Sequence, residues 1–278
     1  MAGRLVLAST PIGNADDASP RLREALATAD VIAAEDTRRL RDLCRRLGVT
    51  PSGEVVSVHD HNERDLADGL ADRAATETVL VVSDAGTPVV SDPGFRLVRA
   101  AVEAGVEVTA LPGPSAVLAA LAVSGFPSDR FCFEGFTARR AGGKAESFSA
   151  LSREARTMVF FESPRRVAST LASMAKAFGP DRPAVVAREL TKIHEEIKRG
   201  SLGELEAWAG DEVLGEVTIV VAGAEGGPVD YAVLVAEVEA RVGDGERLKD
   251  VVGDVARATG VRSADLYGEV LGRRTAPP

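Results

Sequence analysis

Val79 to Gly94 reads V-L-V-V-S-D-A-G-T-P-V-V-S-D-P-G, and this stretch decides the fold. The apolar run Val79 to Val82 has the pattern of a strand buried on both faces, as found inside parallel sheets. It ends abruptly in Ser83-Asp84-Ala85-Gly86-Thr87-Pro88, a small and polar loop. Asp92-Pro93 has the chemistry of a helix start, with Asp92 as N-cap and Pro93 at the first helical position. Strand, tight loop and helix together put an amide-rich loop at the carboxyl end of a central strand, where open α/β sheets bind their ligands. A βα turn that binds nothing reads the same way, so recurrence carries the argument.

The pattern recurs on both sides. Upstream, Leu5 to Ala8 runs into Ser9-Thr10-Pro11-Ile12-Gly13-Asn14, and Val31 to Ala34 into Glu35-Asp36-Thr37-Arg38-Arg39. Val55 to Val58 ends in His59-Asp60-His61-Asn62, and downstream Val106 to Leu111 ends in Pro112-Gly113-Pro114-Ser115. Helical spacing separates these runs, with Gly48 and Gly105 as stop signals. Five strand–helix alternations predict a doubly wound parallel sheet over residues 1–123. Ser124-Gly125-Phe126-Pro127 breaks the pattern and marks a hinge.

A second α/β domain is expected over 124–226, with strands at Phe131 to Glu134, Thr157 to Glu162, Pro183 to Glu189 and Val217 to Ala222. The polar–apolar alternation of Ile193 to Arg199 adds a strand and makes that sheet mixed. Ala138 to Lys144 is basic and Gly-containing and reads as a mobile loop. Glu225-Gly226-Gly227-Pro228 reads as a linker to a helical extension over 227–278. Its last two helices, Leu248 to Ala258 and Ser263 to Leu271, flank Thr259-Gly260-Val261 like a helix-turn-helix, a pattern equally compatible with packing or dimerisation.

The 278 residues are 45% hydrophobic but only 4% aromatic, which suits Ala- and Val-rich α/β packing. A net charge of −9 excludes a polycation that coats nucleic acid, so any RNA contact must come from local patches such as Arg38, Arg39, Arg41, Arg45 and Arg46. Two cysteines, Cys44 and Cys132, lie far apart, so no metal is expected. No Walker A, HExxH or G-x-G-x-x-G occurs. No apolar run spans a membrane, and the start is not a signal peptide; the expectation is a soluble, cytoplasmic protein without membrane partners. Three loops rich in Gly, Pro and Ser let backbone groups approach a ligand closely. They point to a nucleotide-like cofactor in a cleft between two α/β domains.

Seven segments carry a family resemblance: T-P-I-G-N (10–14), A-A-E-D-T-R (33–38), H-D-H-N (59–62), S-D-A-G-T-P (83–88), L-P-G-P-S (111–115), S-D-R-F-C-F-E-G-F (128–136) and A-R-E-L-T-K (187–192). In this order they resemble the RsmI-type ribosomal small-subunit RNA cytidine-2′-O-methyltransferases, a branch of the tetrapyrrole-methylase superfamily. The resemblance implies S-adenosylmethionine as methyl donor, 16S rRNA of the small ribosomal subunit as acceptor, and a homodimer. It implies cofactor contacts from Asp84, Ala85, Gly86, Thr87, Pro112, Gly113 and Ser115, and from Phe161, Glu162 and Ala187 of the second domain. RNA contacts are expected from Arg38, Arg39, Arg45, Arg46, His59, Arg139, Arg140 and Lys144. The first loop, Thr10 to Asn14, differs from the Gly-rich loop of the pyrrole-methylating relatives. In the tail, Val261-Arg262-Ser263 stands where the family often carries paired lysines.

Methyl transfer to a hydroxyl is an in-line displacement in which alignment dominates and a positioned proton acceptor assists. Asp36 and Asp60, at strand carboxyl ends, are the first choices for that acceptor, ahead of His59 and Glu162. A tetrapyrrole methyltransferase, or a non-catalytic assembly factor that senses the cofactor, are the rival readings.

Overall fold

The computed structural model describes residues 3–210, 213–224, 231–259 and 261–275. The chain forms two compact units, Met1–Gly223 and Ala224–Pro278. The first contains two five-stranded sheets.

The first sheet contains β1 (Arg4–Ala8), β2 (Val31–Ala34), β3 (Glu54–Ser57), β4 (Thr78–Val82) and β5 (Glu107–Leu111), all parallel, in the order β3-β2-β4-β1-β5. Its strands alternate with α1 (Pro20–Thr28), α2 (Thr37–Leu47), α3 (Glu63–Ala74) and α4 (Phe95–Glu103). Leu22, Leu26, Leu40 and Leu47 of α1 and α2 cover one face against Val6, Ile32 and Leu80. Leu70, Ala74, Leu97 and Ala101 of α3 and α4 cover the other against Leu5, Val31 and Val79. Double coverage explains why β2 and β4 are apolar at nearly every position. The neighbours β1 and β4 send their helices to opposite faces, so the crevice between them is the sheet's switch point.

The second sheet contains β6 (Phe131–Phe136), β7 (Thr157–Glu162), β8 (Pro183–Arg188), β9 (Glu196–Ser201) and β10 (Val217–Val221), in the order β6-β7-β10-β8-β9. Only the β6–β7 pair is parallel, so the sheet is mixed as expected. On one face lie α6 (Ala141–Ala150), α7 (Val167–Phe178) and α8 (Leu202–Trp208), with Phe148, Leu171, Met174 and Leu205 in the core. On the other lies α5 (Ala116–Ser124), whose Val117, Ala120 and Leu121 meet Val159, Val185 and Val220. Packing therefore changes from the first sheet to the second before α5, whereas the sequence put the boundary after it.

Two local expectations are corrected. Helix α4 begins at Phe95 after Gly94, three residues beyond the expected Asp92 cap. The capping carboxylate comes instead from α3: Glu63, buried at 6% exposure, accepts from the backbone N–H of Gly94 (3.1 Å), Arg96 (2.6 Å) and Leu97 (3.4 Å). The basic segment 138–144 is not wholly a loop, because α6 starts at Ala141 and buries Lys144. The expected linker Glu225 to Pro228 lies outside the described residues.

The second unit is three helices, α9 (Tyr231–Gly243), α10 (Leu248–Thr259) and α11 (Ser263–Thr275), around Val235, Val238, Val251, Val255, Leu266 and Val270. The helix-turn-helix spacing of the last two is kept, with Gly260 outside the described residues.

Replacing Glu63 with Ala leaves three helix-start N–H groups without their acceptor. We expect a loss of about 1–3 kcal/mol of stability, read from urea denaturation.

Candidate active site

The loops after β1, β4 and β5 are tied to one another at the switch point. Thr10 and Gly86 form a two-way bridge, Thr10 N–H to Gly86 C=O at 2.8 Å and Gly86 N–H to Thr10 C=O at 3.1 Å. Ser9 N–H donates to Leu111 C=O (3.2 Å), the Ser9 and Thr87 hydroxyls share a hydrogen bond (3.0 Å), and the Thr87 hydroxyl donates to Pro114 C=O (3.4 Å). Gly86 holds φ +81°, a conformation glycine adopts without penalty.

Beside this shelf is a cavity of about 510 Å³. Its first wall is Asp84 to Thr87 with Ser115, and another carries Phe161 and Ala187 of the second sheet with Leu190 of the turn after β8. A bulge at Gly135 (φ +67°) turns Phe136 into the cavity, 5.4 Å from Phe161 between ring centres. Eight of the ten cofactor residues expected from the sequence thus border one space. Pro112 and Gly113 do not: they are exposed, and a Cβ on Gly113 would lie 2.9 Å from the Ser9 Cβ, so this glycine serves packing.

Glu162 borders the cavity, but its side chain is fully buried and spoken for. Its carboxylate accepts from the Thr137 hydroxyl, the Thr170 hydroxyl (2.6 Å) and Ser163 N–H (2.6 Å), and pairs with Arg166 (2.5 Å). Lys144 joins through Thr170 (2.5 Å) and Ser169 (3.2 Å), with burial pulling its pKa down. Lys144 is therefore removed from the RNA-contact set, because its ammonium is enclosed in this network. Glu162 anchors Phe161 and Ser163 rather than presenting a free carboxylate.

Of the expected proton acceptors, Asp36 is the N-cap of α2. Its carboxylate accepts from Arg38 N–H (2.7 Å) and pairs with the Arg38 guanidinium (2.9 Å), and these bonds hold its pKa down at about 2. A carboxylate so stabilised is a poor base. Asp60 is exposed and borders no described cavity. His59 is also exposed, its N–H held by the Asn62 side chain (2.8 Å) in the turn that opens α3.

Three carboxylates not singled out from the sequence as site residues face the cavity, Glu35, Asp92 and Glu216, the last paired with Lys192 (3.1 Å). Glu35 accepts from Asp84 N–H (3.3 Å), and burial followed by the Asp84 charge raises its pKa. Asp84 accepts from Asp36 N–H (3.1 Å) and pairs with Arg39 (3.3 Å), yet burial still raises its pKa. Asp92 looked like a helix cap, which hid it; Glu35 stood beside Asp36 in A-A-E-D-T-R and could have been found there.

A second hollow of about 640 Å³ adjoins the first, sharing Ile12, Arg39, Asp84, Ala85 and Glu216. Arg38, Arg46 and Lys192 line it, with Asp36 and Asp42 among them. Arg45 lies outside it, paired with Asp42, and Arg139 and Arg140 are exposed at the start of α6. The arrangement is a carboxylate-bearing pocket with an apolar wall, opening beside an arginine-lined hollow.

A family model described as Tetrapyrrole (Corrin/Porphyrin) Methylases matches residues 4–206. A protein of Mycobacterium tuberculosis (strain CDC 1551 / Oshkosh), named Ribosomal RNA small subunit methyltransferase I, is 53% identical over 275 residues, covering 98% of this chain and 96% of its own. The protein of that name from Escherichia coli O157:H7 is 38% identical over 277 residues, covering 97% and 95%. Among solved structures, a diphthine synthase superposes with a TM-score of 0.59 at 17% identity, over 78% of this chain and 89% of its own. A uroporphyrin-III C-methyl transferase from Thermus thermophilus, complexed with S-adenosyl homocysteine, gives 0.56 at 21% identity, over 79% and 97%. At such identities the likeness to solved structures speaks for the fold alone.

Glu162→Ala strips the Arg166 charge of its buried partner. We expect a loss of about 3–5 kcal/mol, measured by chemical denaturation, far beyond that of an exposed pair such as Arg99–Glu103.

Proposed function

The chain belongs to the tetrapyrrole (corrin/porphyrin) methylase family and to its ribosomal RNA small subunit methyltransferase I branch, and on that premise we propose that it methylates a cytidine 2′-hydroxyl in the decoding region of 16S rRNA. S-adenosylmethionine-dependent methylation of ribosomal RNA follows from membership. The ribose position, the cytidine and the assembled small subunit as acceptor are the finer part of the proposal.

The donor set of the 510 Å³ cavity fits this cofactor. A purine is flat and apolar on its faces, and Phe161, Ala187 and Leu190 offer a matching wall. The sulfonium and ammonium are cationic, and Glu35, Asp84 and Asp92 give the pocket the opposite sign. Backbone groups of Asp84 to Thr87 are held for the polar edge by the bridge to Thr10. Bound there, S-adenosylmethionine supplies an electrophilic methyl group. The protein's own share is to fix the angle between the acceptor oxygen and that methyl, and to keep water out.

The observation that carries the acceptor reading is the shared wall between the two hollows. RNA held by Arg38 and Arg46 would bring its ribose to the cofactor pocket past Arg39. These few cations supply phosphate contacts while the rest of the surface stays acidic. Arg139 and Arg140 extend the basic contact. A homodimer belongs to the same proposal, supported by Phe95, Val102 and Leu118, which are 63%, 61% and 56% exposed. Action on ribosomal subunits puts the protein in the cytoplasm. Among the described residues, no helix is long and apolar enough to cross a membrane.

The decisive experiment offers labelled S-adenosylmethionine and the protein to small subunits from cells that lack it, with naked 16S rRNA in parallel. The expected outcome is label on one cytidine ribose, in subunits rather than naked RNA. Label on a tetrapyrrole, or cofactor binding with no transfer at all, overturns the proposal. Arg38→Ala with Arg46→Ala is expected to weaken subunit binding and to lower the slope of log K against log salt by about 1 for each arginine removed. Cofactor affinity of that variant is expected to stay within a few-fold of the parent.

A further inference from the structure

Asp92 is the cavity carboxylate that the described contacts leave uncommitted. Asp84 is engaged by Asp36 N–H and Arg39, and Glu35 by Asp84 N–H. Asp92 has Ser83 as its polar neighbour, whose hydroxyl donates to the Ala85 and Gly86 carbonyls (3.4 Å each), and among the described residues no cation lies within ion-pair distance of it. Its position is also imposed. Val89 and Ser91 hold φ of +76° and +64°, and the chain then reaches Gly94 at +124°. Left-handed backbone at a β-branched residue costs about 1–2 kcal/mol and persists only where the surroundings enforce it. Glu63 is the enforcing group: it takes over the N-terminus of α4, so Asp92 is released from capping and borders the pocket.

We propose that Asp92 is the catalytic residue that accepts the proton of the acceptor hydroxyl during methyl transfer. This rests on the methyltransferase reading above. The acceptor oxygen forms its bond to the methyl carbon, the carbon–sulfur bond breaks with its electron pair going to sulfur, and the hydroxyl proton passes to the Asp92 carboxylate and then to water. Burial first, and then the Glu35 charge, push the Asp92 carboxyl up to about 7. A proton acceptor whose pKa matches the working pH is the most effective kind. The charged groups around it are Glu35, Asp60 and Asp84 at the ends of β2, β3 and β4, Arg39 of α2 against Asp84, and Glu63 of α3, committed to backbone N–H groups. Across the pocket are Glu216 and the enclosed Glu162–Arg166 pair.

The raised pKa has a consequence for stability. The folded protein holds this proton more tightly than the unfolded chain does. The contribution is present in full below the unfolded value of about 3.9 and is lost as pH rises through about 7.

The test uses Asp92→Asn and Glu35→Gln in the full-length protein, with small subunits as acceptor. Asp92→Asn is expected to fold and to bind S-adenosylmethionine more weakly, so transfer is read at saturating cofactor. Its single-turnover transfer is expected to fall roughly 10²–10⁴-fold and to lose the rise centred near neutrality. Two readouts are independent of turnover. A side-chain carboxyl ¹³C signal titrating near neutrality is expected in the parent and missing from Asp92→Asn, and the decline in stability between pH 4 and 7 is expected to flatten. Glu35→Gln removes the neighbouring charge and is expected to move the pH–rate profile to lower pH, an effect that a merely structural role would not produce. Near-parental transfer with an unchanged profile in Asp92→Asn overturns this proposal and leaves the methyltransferase reading standing. No transfer by the parent protein overturns both.

Discussion

The two hydrogen bonds between Thr10 and Gly86 set the geometry on which the site depends. Parallel strands diverge at a switch point, because the chains leaving β1 and β4 turn to opposite faces of the sheet. Without a tie across the gap, both loops would be free to open. The bridge adds one antiparallel pair beyond the ends of the parallel strands, and the Ser9–Thr87 and Ser9–Leu111 bonds carry the tie to the loop after β5. The backbone groups at the cavity wall are therefore oriented before any ligand arrives, which lowers the ordering cost of binding.

Charge is distributed on the same plan. The chain carries nine net negative charges, yet acts on a polyanion in the reading argued above. Carboxylates are concentrated inside the pocket, where burial makes three of them, Glu35, Asp84 and Asp92, harder to ionise. Guanidinium groups of α2 stand outside it, and Arg39 is the point of contact between the two populations through Asp84. Local potential, rather than total charge, governs where a phosphate settles.

The strands were the most legible part of the sequence because burial on both faces leaves an unmixed apolar run. Val31–Ala34 and Thr157–Glu162 begin and end where the pattern does. Two of the errors share one cause: a local signal was overruled by a partner distant in sequence. Asp92-Pro93 has good helix-start chemistry, but Glu63, some thirty residues earlier, supplies the cap. Lys144 belongs to a basic run that reads as solvated, yet it lies four residues before Phe148 on the inward side of α6 and reaches the Glu162 network. That spacing was the available signal. Helix α5 is almost uniformly apolar, so nothing in its periodicity showed which sheet it covers. Asp36 lies at a strand end and borders the second hollow, but its capping and pairing with Arg38 follow from a turn geometry that residue type alone does not reveal.

Two of the sequence motifs prove to be opposite sides of one contact, and this accounts for their residue types. A Cβ on Gly13 of T-P-I-G-N would lie 2.7 Å from the Thr191 hydroxyl and 2.9 Å from Leu190 C=O of A-R-E-L-T-K. Glycine is thus required by close approach at a φ that any residue could adopt. The Asn14 N–H donates to the Thr191 hydroxyl (3.0 Å), and Arg46 donates to Gly13 C=O (3.1 Å). On the other side, Glu189 and Thr191 hold φ of +51° and +65°, and Lys192 joins Glu189 (2.8 Å) to Glu216 (3.1 Å). Strain in two non-glycine residues is sustained because the turn is fixed from both ends. The same turn carries Leu190 into the cofactor pocket and Lys192 into the arginine-lined hollow. The distance between the two sheets, and hence the width of the pocket, is set by how closely Gly13 lets this turn approach. A side chain there would act on both hollows together, which makes the contact a single mechanical element shared between them.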